Sequence, residues 1–287
     1  MSPRRSPPSA PARAPRGKPL RRVTSPRNRA LALVRALDAK RVRRERRLVV
    51  AEGEDLVDAA LAHGLRPRVL LVDAERTDAG DPRLAATADL DERYEVPGAI
   101  LAGVSRLAAH PRVIGVFEQP GPHHFSTVRF PPSLALYLAG VADPGNVGTL
   151  VRTAAAIGCD WVALGPGSAD AANPKAVRAG MGATFALPIL DGVAPADLGT
   201  RSGFRVAAAV VRGGAAPWEV DLTGPTLVAL GAERAGLAGA LEGLSGAPEV
   251  VEVTIPQRPG AESMNVAAAG AAILVEALRQ RALMAEG

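Results

Sequence analysis

Cysteine occurs once in the 287 residues, at Cys159. A single thiol builds neither a disulfide framework nor a cysteine-based metal site, and it fits a reducing, cytoplasmic setting. Aromatic residues are scarce as well: two Trp, two Tyr and five Phe, 3% of the chain, and they are scattered. Proteins that bind nucleic acid by stacking bases gather aromatics on one face, so their scarcity argues for recognition by charge and shape instead. No window is long enough to span a bilayer without meeting charge or proline. The start, Met1-Ser2-Pro3-Arg4-Arg5-Ser6-Pro7-Pro8, carries charge with no apolar run behind it, so neither membrane insertion nor secretion is expected. A Gly-x-Gly-x-x-Gly turn with an acid at the right distance is missing after the first strand, which argues against a nucleotide-dependent dehydrogenase. The pair His123-His124 has no carboxylate or cysteine at ligand spacing, so no metal site is expected.

What is present is an Ala-, Val- and Leu-rich chain, 47% hydrophobic, able to bury a sizeable core. The net charge of +5 is unevenly spread. Up to Arg47 the chain carries the clusters Arg4-Arg5, Arg21-Arg22 and Arg41-Val42-Arg43-Arg44-Glu45-Arg46-Arg47 against only Asp38 and Glu45. An arginine-rich front of this kind favours a polyanionic partner, and RNA contact is expected from the last cluster.

Residues 1–24, rich in Pro, Arg, Ser and Ala without periodicity, are expected to form a disordered basic arm. Residues 25–118 alternate helix and strand: Leu31, Leu33, Val34 and Leu37 at helical spacing, an Arg-rich turn, a strand Leu48 to Ala51, a helix opened by Glu52-Gly53-Glu54-Asp55, a strand Val69 to Val72, a helix near Ala99 to Leu107 and a strand Val113 to Phe117. Glu52 and Gly53 are expected only to shape a turn. Residues 119–133, rich in Pro, Gly and His, form the expected linker. Residues 134–287 again alternate, which predicts a mostly parallel sheet with helices on both faces.

Three strand ends in this second half run into polar loops that open helices. They are Leu134 to Val141 followed by Ala142-Asp143-Pro144-Gly145-Asn146-Val147-Gly148 and, on the same helix, Arg152; Thr226 to Leu230 followed by Gly231-Ala232-Glu233-Arg234; and Ile255-Pro256-Gln257-Arg258-Pro259-Gly260-Ala261-Glu262-Ser263-Met264-Asn265. Ligands of open α/β sheets bind outside the carboxyl ends of the strands, so three such loops predict one composite site. Asn146 and Ser263 stand where a helix N-cap is wanted, Glu233 where an acid complements a helix dipole, and Arg152 on an otherwise apolar helix that would leave it at least half-buried. Lys175 and Arg178, three apart, share a helical face that could meet a phosphate.

Taken together, these segments resemble the SPOUT-class RNA methyltransferases of the SpoU/TrmH branch, and Arg46 to Val57 resembles the L30e-like substrate-binding domain found ahead of them. The resemblance implies an α/β fold in which a trefoil-knotted SPOUT methyltransferase domain follows a smaller L30e-like α/β domain, and an active homodimer. It implies transfer of a methyl group from S-adenosyl-L-methionine to an RNA ribose 2′-hydroxyl, of 23S ribosomal RNA ahead of tRNA, without a metal. By the same resemblance Arg152, Asn146, Glu233, Ser263 and Asn265 serve catalysis, and Leu230, Gly231, Ile255, Pro256, Met264 and Asn265 hold the cofactor. A non-catalytic RNA-binding protein of ribosome assembly is the alternative, and retention of the whole polar set argues against it.

Overall fold

The computed structural model describes residues 18–107, 110–121, 123–232, 236–237, 240, 242, 249–260 and 263–286. Its first half contains β1 (Arg21–Arg22), α1 (Arg29–Ala36), α2 (Lys40–Arg46), β2 (Leu48–Glu52), α3 (Glu54–Ala62), β3 (Pro67–Asp73), α4 (Pro82–Ala86), β4 (Arg93–Val96), α5 (Gly98–Ala102) and β5 (Val113–Glu118). The sheet order is β1-β4-β3-β5-β2, with β5 antiparallel to both β2 and β3. Asn28 starts α1 by accepting a hydrogen bond from the Ala30 N–H at 2.8 Å, and Ala30, Leu31 and Val34 then face the core.

Two expectations change here. The Arg-rich turn is the helix α2, with Arg43 buried on its inner face. The expected arm overlaps the sheet: Arg21 and Arg22 pair with Tyr94 and Glu95, and Val23 is fully buried. A two-residue edge strand between prolines leaves no periodicity to read.

The second half contains β6 (Leu134–Ala139), α6 (Pro144–Ile157), β7 (Trp161–Leu164), α7 (Pro174–Gly180), α8 (Ala183–Ala186), β8 (Ile189–Asp191), α9 (Pro195–Gly199), β9 (Arg205–Ala209), β10 (Thr226–Gly231), β11 (Glu249–Val253) and α10 (Val266–Glu286). All six strands are parallel, in the order β11-β9-β10-β6-β7-β8. Strands covered on both faces read as continuous apolar runs, as Leu134 to Leu138 and Leu227 to Leu230 do. Helices α6 and α10 cover one face. The other is packed by Leu198 of α9 and by Phe125, Val128 and Phe130 of the expected linker. That segment is therefore fastened to the second sheet: Phe125 and Phe130 lie 5.8 and 6.5 Å from the Trp161 ring, whose indole N–H donates to the Arg129 carbonyl at 3.0 Å.

Helices α6 and α7 approach each other through Gly148, where an added Cβ would fall 2.2 Å from the Ala176 carbonyl oxygen and 2.8 Å from the Ala179 Cβ. Backbone cannot swing aside as a long side chain can. Gly148→Ala is accordingly expected to destabilise the fold by about 1–3 kcal/mol in urea unfolding. An unchanged midpoint would show that the helices are free to separate.

The two halves share a core in which Val49, Val57 and Phe117 pack with Ala172, Val177 and Phe185. Buried charge reinforces it. The Arg43 guanidinium meets Asp170 at 2.9 Å and also donates to the carbonyls of Leu37 and Asp38. Glu52, expected only at a turn, is buried; its carboxylate accepts from the Ser105 hydroxyl at 2.7 Å and the Arg106 N–H at 2.8 Å, and faces Arg178 at 3.6 Å.

Candidate active site

The first motif loop leaves β6 through Gly140 at φ +76°, where the Ser168 hydroxyl accepts from the N–H groups of Gly140 and Val141 and donates to Leu138. Asp143, not Asn146, caps α6: its carboxylate accepts from the Asn146 N–H at 3.0 Å, and Pro144 occupies the first helical position. Lys175, 2.7 Å away, and that N–H hold the Asp143 carboxyl below the usual carboxylate range. Relieved of capping, the half-buried Asn146 side chain accepts from the Asn265 Nδ2 at 3.1 Å.

Asn265 has a second task. Its Oδ1 accepts from the N–H groups of Ala267 at 2.9 Å and Ala268 at 3.2 Å, so Asn265 caps α10 in the place expected of Ser263. Ser263 and Met264 are exposed on the approach to that cap. One asparagine pair thus ties the amino ends of α6 and α10 together.

Beside this junction lies a cavity of about 340 Å³ at the carboxyl ends of β9, β10 and β11. Leu230, Gly231, Ile255, Ser263, Met264 and Asn265 line it; Pro256 does not, although its neighbours Ile255 and Gln257 do. The sequence reading missed the wall supplied by Ala209, Val210 and Val211, whose one signal was the Gly213-Gly214 turn after β9. Thr254 braces that wall by accepting from the Gly214 N–H at 2.9 Å and donating to the Val210 carbonyl at 3.2 Å. Gly231 is required at the strand end: a Cβ there would fall 2.1 Å from the backbone of Gly236, where the loop folds back through a bridge to Ala232. At Gly270 a Cβ would strike Leu150 and Leu230 at about 2.5 Å, so α10 also approaches α6 and β10 through a glycine.

Arg152 corrects the expectation of burial. It projects from the exposed face of α6, and among the described residues it has no hydrogen bond or ion pair. Neither Arg152 nor Asn146 lines the cavity. Glu233, with Arg234, lies outside the described residues. Lys175 and Arg178 face acids of the protein, Asp143 and Glu52. Among the described residues no three His, Cys, Asp or Glu gather to hold a metal, and no helix is long and apolar enough to cross a membrane.

Residues 133–275 match the model of the SpoU rRNA Methylase family, and residues 28–115 that of the MRM3-like substrate binding domain. A 23S rRNA (uridine(2479)-2′-O)-methyltransferase of Streptomyces viridochromogenes is 30% identical over 94% of this chain and 96% of its own length. The chain belongs to the SpoU rRNA methylase family. Another relative, the 23S rRNA (guanosine(2553)-2′-O)-methyltransferase RlmP of Bacillus subtilis, is also 30% identical, over 91% of this chain and 100% of its own. The crystal structure of the SpoU methyltransferase AviRb from Streptomyces viridochromogenes with AdoMet superposes with a TM-score of 0.78 at 27% identity, covering 89% of this chain and 99% of that one. An AdoMet-bound rRNA methyltransferase from Sinorhizobium meliloti gives a TM-score of 0.72 at 29% identity, over 91% and 98%.

The cavity of this SpoU chain suits an S-adenosylmethionine. Aliphatic walls at Val210, Val253, Ile255 and Ile273 offer an apolar enclosure for a flat base, and Ser263, Asn265 and Gln257 supply polar groups at its edge. The glycine at position 231 keeps the floor open where any side chain would collide with the loop.

Proposed function

We propose that this chain transfers a methyl group from S-adenosyl-L-methionine to one ribose 2′-hydroxyl of 23S rRNA. The observation that carries the reading is the meeting of the loops after β6, β10 and β11, with Asn265 shared between the cavity and Asn146. The cofactor supplies an electrophilic sulfonium methyl. Residues Leu230, Gly231, Ile255, Met264 and Asn265 hold it, with Pro256 turning the chain away from the sheet between two lining residues. In-line displacement requires the hydroxyl to be held close and its proton to be lost as the bond forms. In this reading Arg152, Asn146, Ser263 and Asn265 orient the ribose and stabilise developing charge, with Glu233 organising the second loop. Arginine remains protonated at neutral pH, so Arg152 acts by positioning and electrostatics.

The enzyme would work in the cytoplasm as a homodimer whose carboxyl-terminal part is threaded as a trefoil knot. Support for a dimer comes from α10, where Val275 and Leu278, one turn apart on the same face, are both more than 40% exposed. Apolar residues clustered on a surface mark an interface.

The test is transfer of labelled methyl into total RNA from cells lacking this protein. Label is expected at a single ribose of 23S rRNA, and none in a DNA oligomer of the same sequence, which has no 2′-hydroxyl. Product on DNA would sink the assignment, and label in tRNA would move the substrate.

A further inference from the structure

Val253 of the edge strand β11 pairs with Ala209 of β9 on one side and with Ala215 on the other. Residues 210–214 must therefore cross over the carboxyl end of β11, and they do so as a narrow arch. Its inner leg, Ala209, Val210 and Val211, lines the cavity of the candidate active site. Its outer leg, Gly214 and Ala215, lies along the far edge of the strand. Gly213 turns the apex at φ +90°. Gly214 lets the outer leg sit against β11, since a Cβ there would fall 2.6 Å from the Glu252 carbonyl.

Each leg has its own backbone bonds to β11. The Val210 N–H donates to the Val253 carbonyl at 2.9 Å, the Ala215 N–H to the Glu252 carbonyl at 3.0 Å, and the Thr254 N–H to the Ala215 carbonyl at 2.9 Å. Among the described residues one side chain bonds to both legs. The Thr254 hydroxyl sits under the arch, accepting from the Gly214 N–H on the outer leg at 2.9 Å and donating to the Val210 carbonyl on the inner leg at 3.2 Å. It uses its proton and a lone pair together, so a methyl of the same shape would leave an unmet donor on one leg and an unmet acceptor on the other. Burial does little to hold this end of the wall, because Val211, apolar and lining the cavity, is 54% exposed. Nor does β11 itself call for a hydroxyl: valine serves the strand at positions 250, 251 and 253.

Resting on the reading of this cavity as the S-adenosylmethionine site, we propose that Thr254 is a positioning residue for the methyl donor, its hydroxyl clamping the arch so that Val210 and Val211 stand at the spacing the donor requires. Thr254 does not line the cavity, although its neighbour Ile255 does, so it acts through the wall. Without the clamp the inner leg takes up other positions, and only molecules with the leg in place bind the donor. A wall in place about a tenth of the time lowers the affinity about tenfold.

The experiment is calorimetric titration of wild type, Thr254→Val, Thr254→Ser and the control Thr226→Val with S-adenosylmethionine, alongside amide hydrogen exchange of residues 210–215 in the unliganded proteins. Thr226 begins β10 at the opposite end of the sheet, and its hydroxyl, on a buried residue, donates to the Gly224 carbonyl at 2.9 Å. Its replacement by valine removes a threonine hydrogen bond of the same kind far from the cavity. Thr254→Val keeps the shape of the side chain and is expected to fold, to exchange the arch amides faster and to bind the donor about tenfold more weakly. Thr254→Ser, which keeps the hydroxyl, and Thr226→Val should both bind within about twofold of wild type. Unchanged affinity in Thr254→Val, with or without faster exchange, overturns the inference, as does an equal loss in Thr226→Val, which would reduce the effect to general destabilisation. A wild type that binds no S-adenosylmethionine would refute the reading of the cavity and the role of Thr254 with it, whereas a wild type that binds and a Thr254→Val that binds equally well refute the role of Thr254 alone.

Discussion

Arg152→Ala is expected to reduce single-turnover methyl transfer by about 10²–10³-fold, the range found when one preorganised donor is removed from a developing charge. The structure makes this a clean experiment. Arg152 is exposed on α6 and makes no hydrogen bond or ion pair among the described residues, while Val147, Leu150, Val151 and Ala154 on the opposite face carry the packing. Surface substitutions of that kind change stability by about 0.5 kcal/mol or less. S-adenosylmethionine binding should also be unaffected, because Arg152 does not line the cavity proposed to hold it. Arg152→Lys keeps the charge but loses the planar fork and should recover only part of the rate. A rate within twofold of wild type for Arg152→Ala would remove this residue from the chemistry. A parallel loss of cofactor affinity would mean that it acts through the cavity rather than on the ribose.

Arg152 also shows where sequence reasoning ends. Its helix was legible, since Pro144 to Ile157 combines an initiating proline, regular apolar spacing and a terminal Gly158. The side of the helix facing water was misjudged, because short Ala-rich helices carry apolar residues all round. At Asp143-Pro144-Gly145-Asn146 two residues could cap, and the preference of proline for the first helical position decides for Asp143. Asn265 against Ser263 is the same ambiguity at α10, decided by which side chain reaches the free N–H groups. The strands of the second sheet were readable because burial on both faces leaves uninterrupted apolar runs. In the first sheet β4, Arg-Tyr-Glu-Val, was not, since the buried Arg93 reads as surface. Its hydrogen bonds go to the carbonyls of Leu84 and Lys18, which local patterning cannot foresee. The cavity wall at Val210 and Val211 was missed for a similar reason: it depends on Thr254, 44 residues away.

Arg43 is the clearest such case, and its replacement should have the largest effect on stability. The cluster containing it reads as a solvated, RNA-facing run, yet the Arg43 side chain is 2% exposed and bound to Asp170, 127 residues later. Removing one partner of a buried ion pair strands the other charge, at a cost of about 3–5 kcal/mol. Arg43→Ala also frees the carbonyls of Leu37 and Asp38 and leaves a void under α2. The loss is transmitted further, because Asp170 is the anchor of the turn into α7: its other carboxylate oxygen accepts from the Ala172 N–H at 2.8 Å, and its carbonyl from the Asn173 N–H. Asn173 caps α7, and α7 carries the lysine that holds Asp143 at the start of α6. Urea unfolding of Arg43→Ala should therefore lose cooperativity as well as midpoint, the first sheet melting ahead of the second. Replacing both partners, as in Arg43→Met with Asp170→Ala, should cost less than the sum of the single changes, since no charge is left stranded. Additive losses, or a single loss below about 1 kcal/mol, would mean that water reaches the pair and that the shared apolar core around Phe117 and Phe185 holds the two halves together unaided.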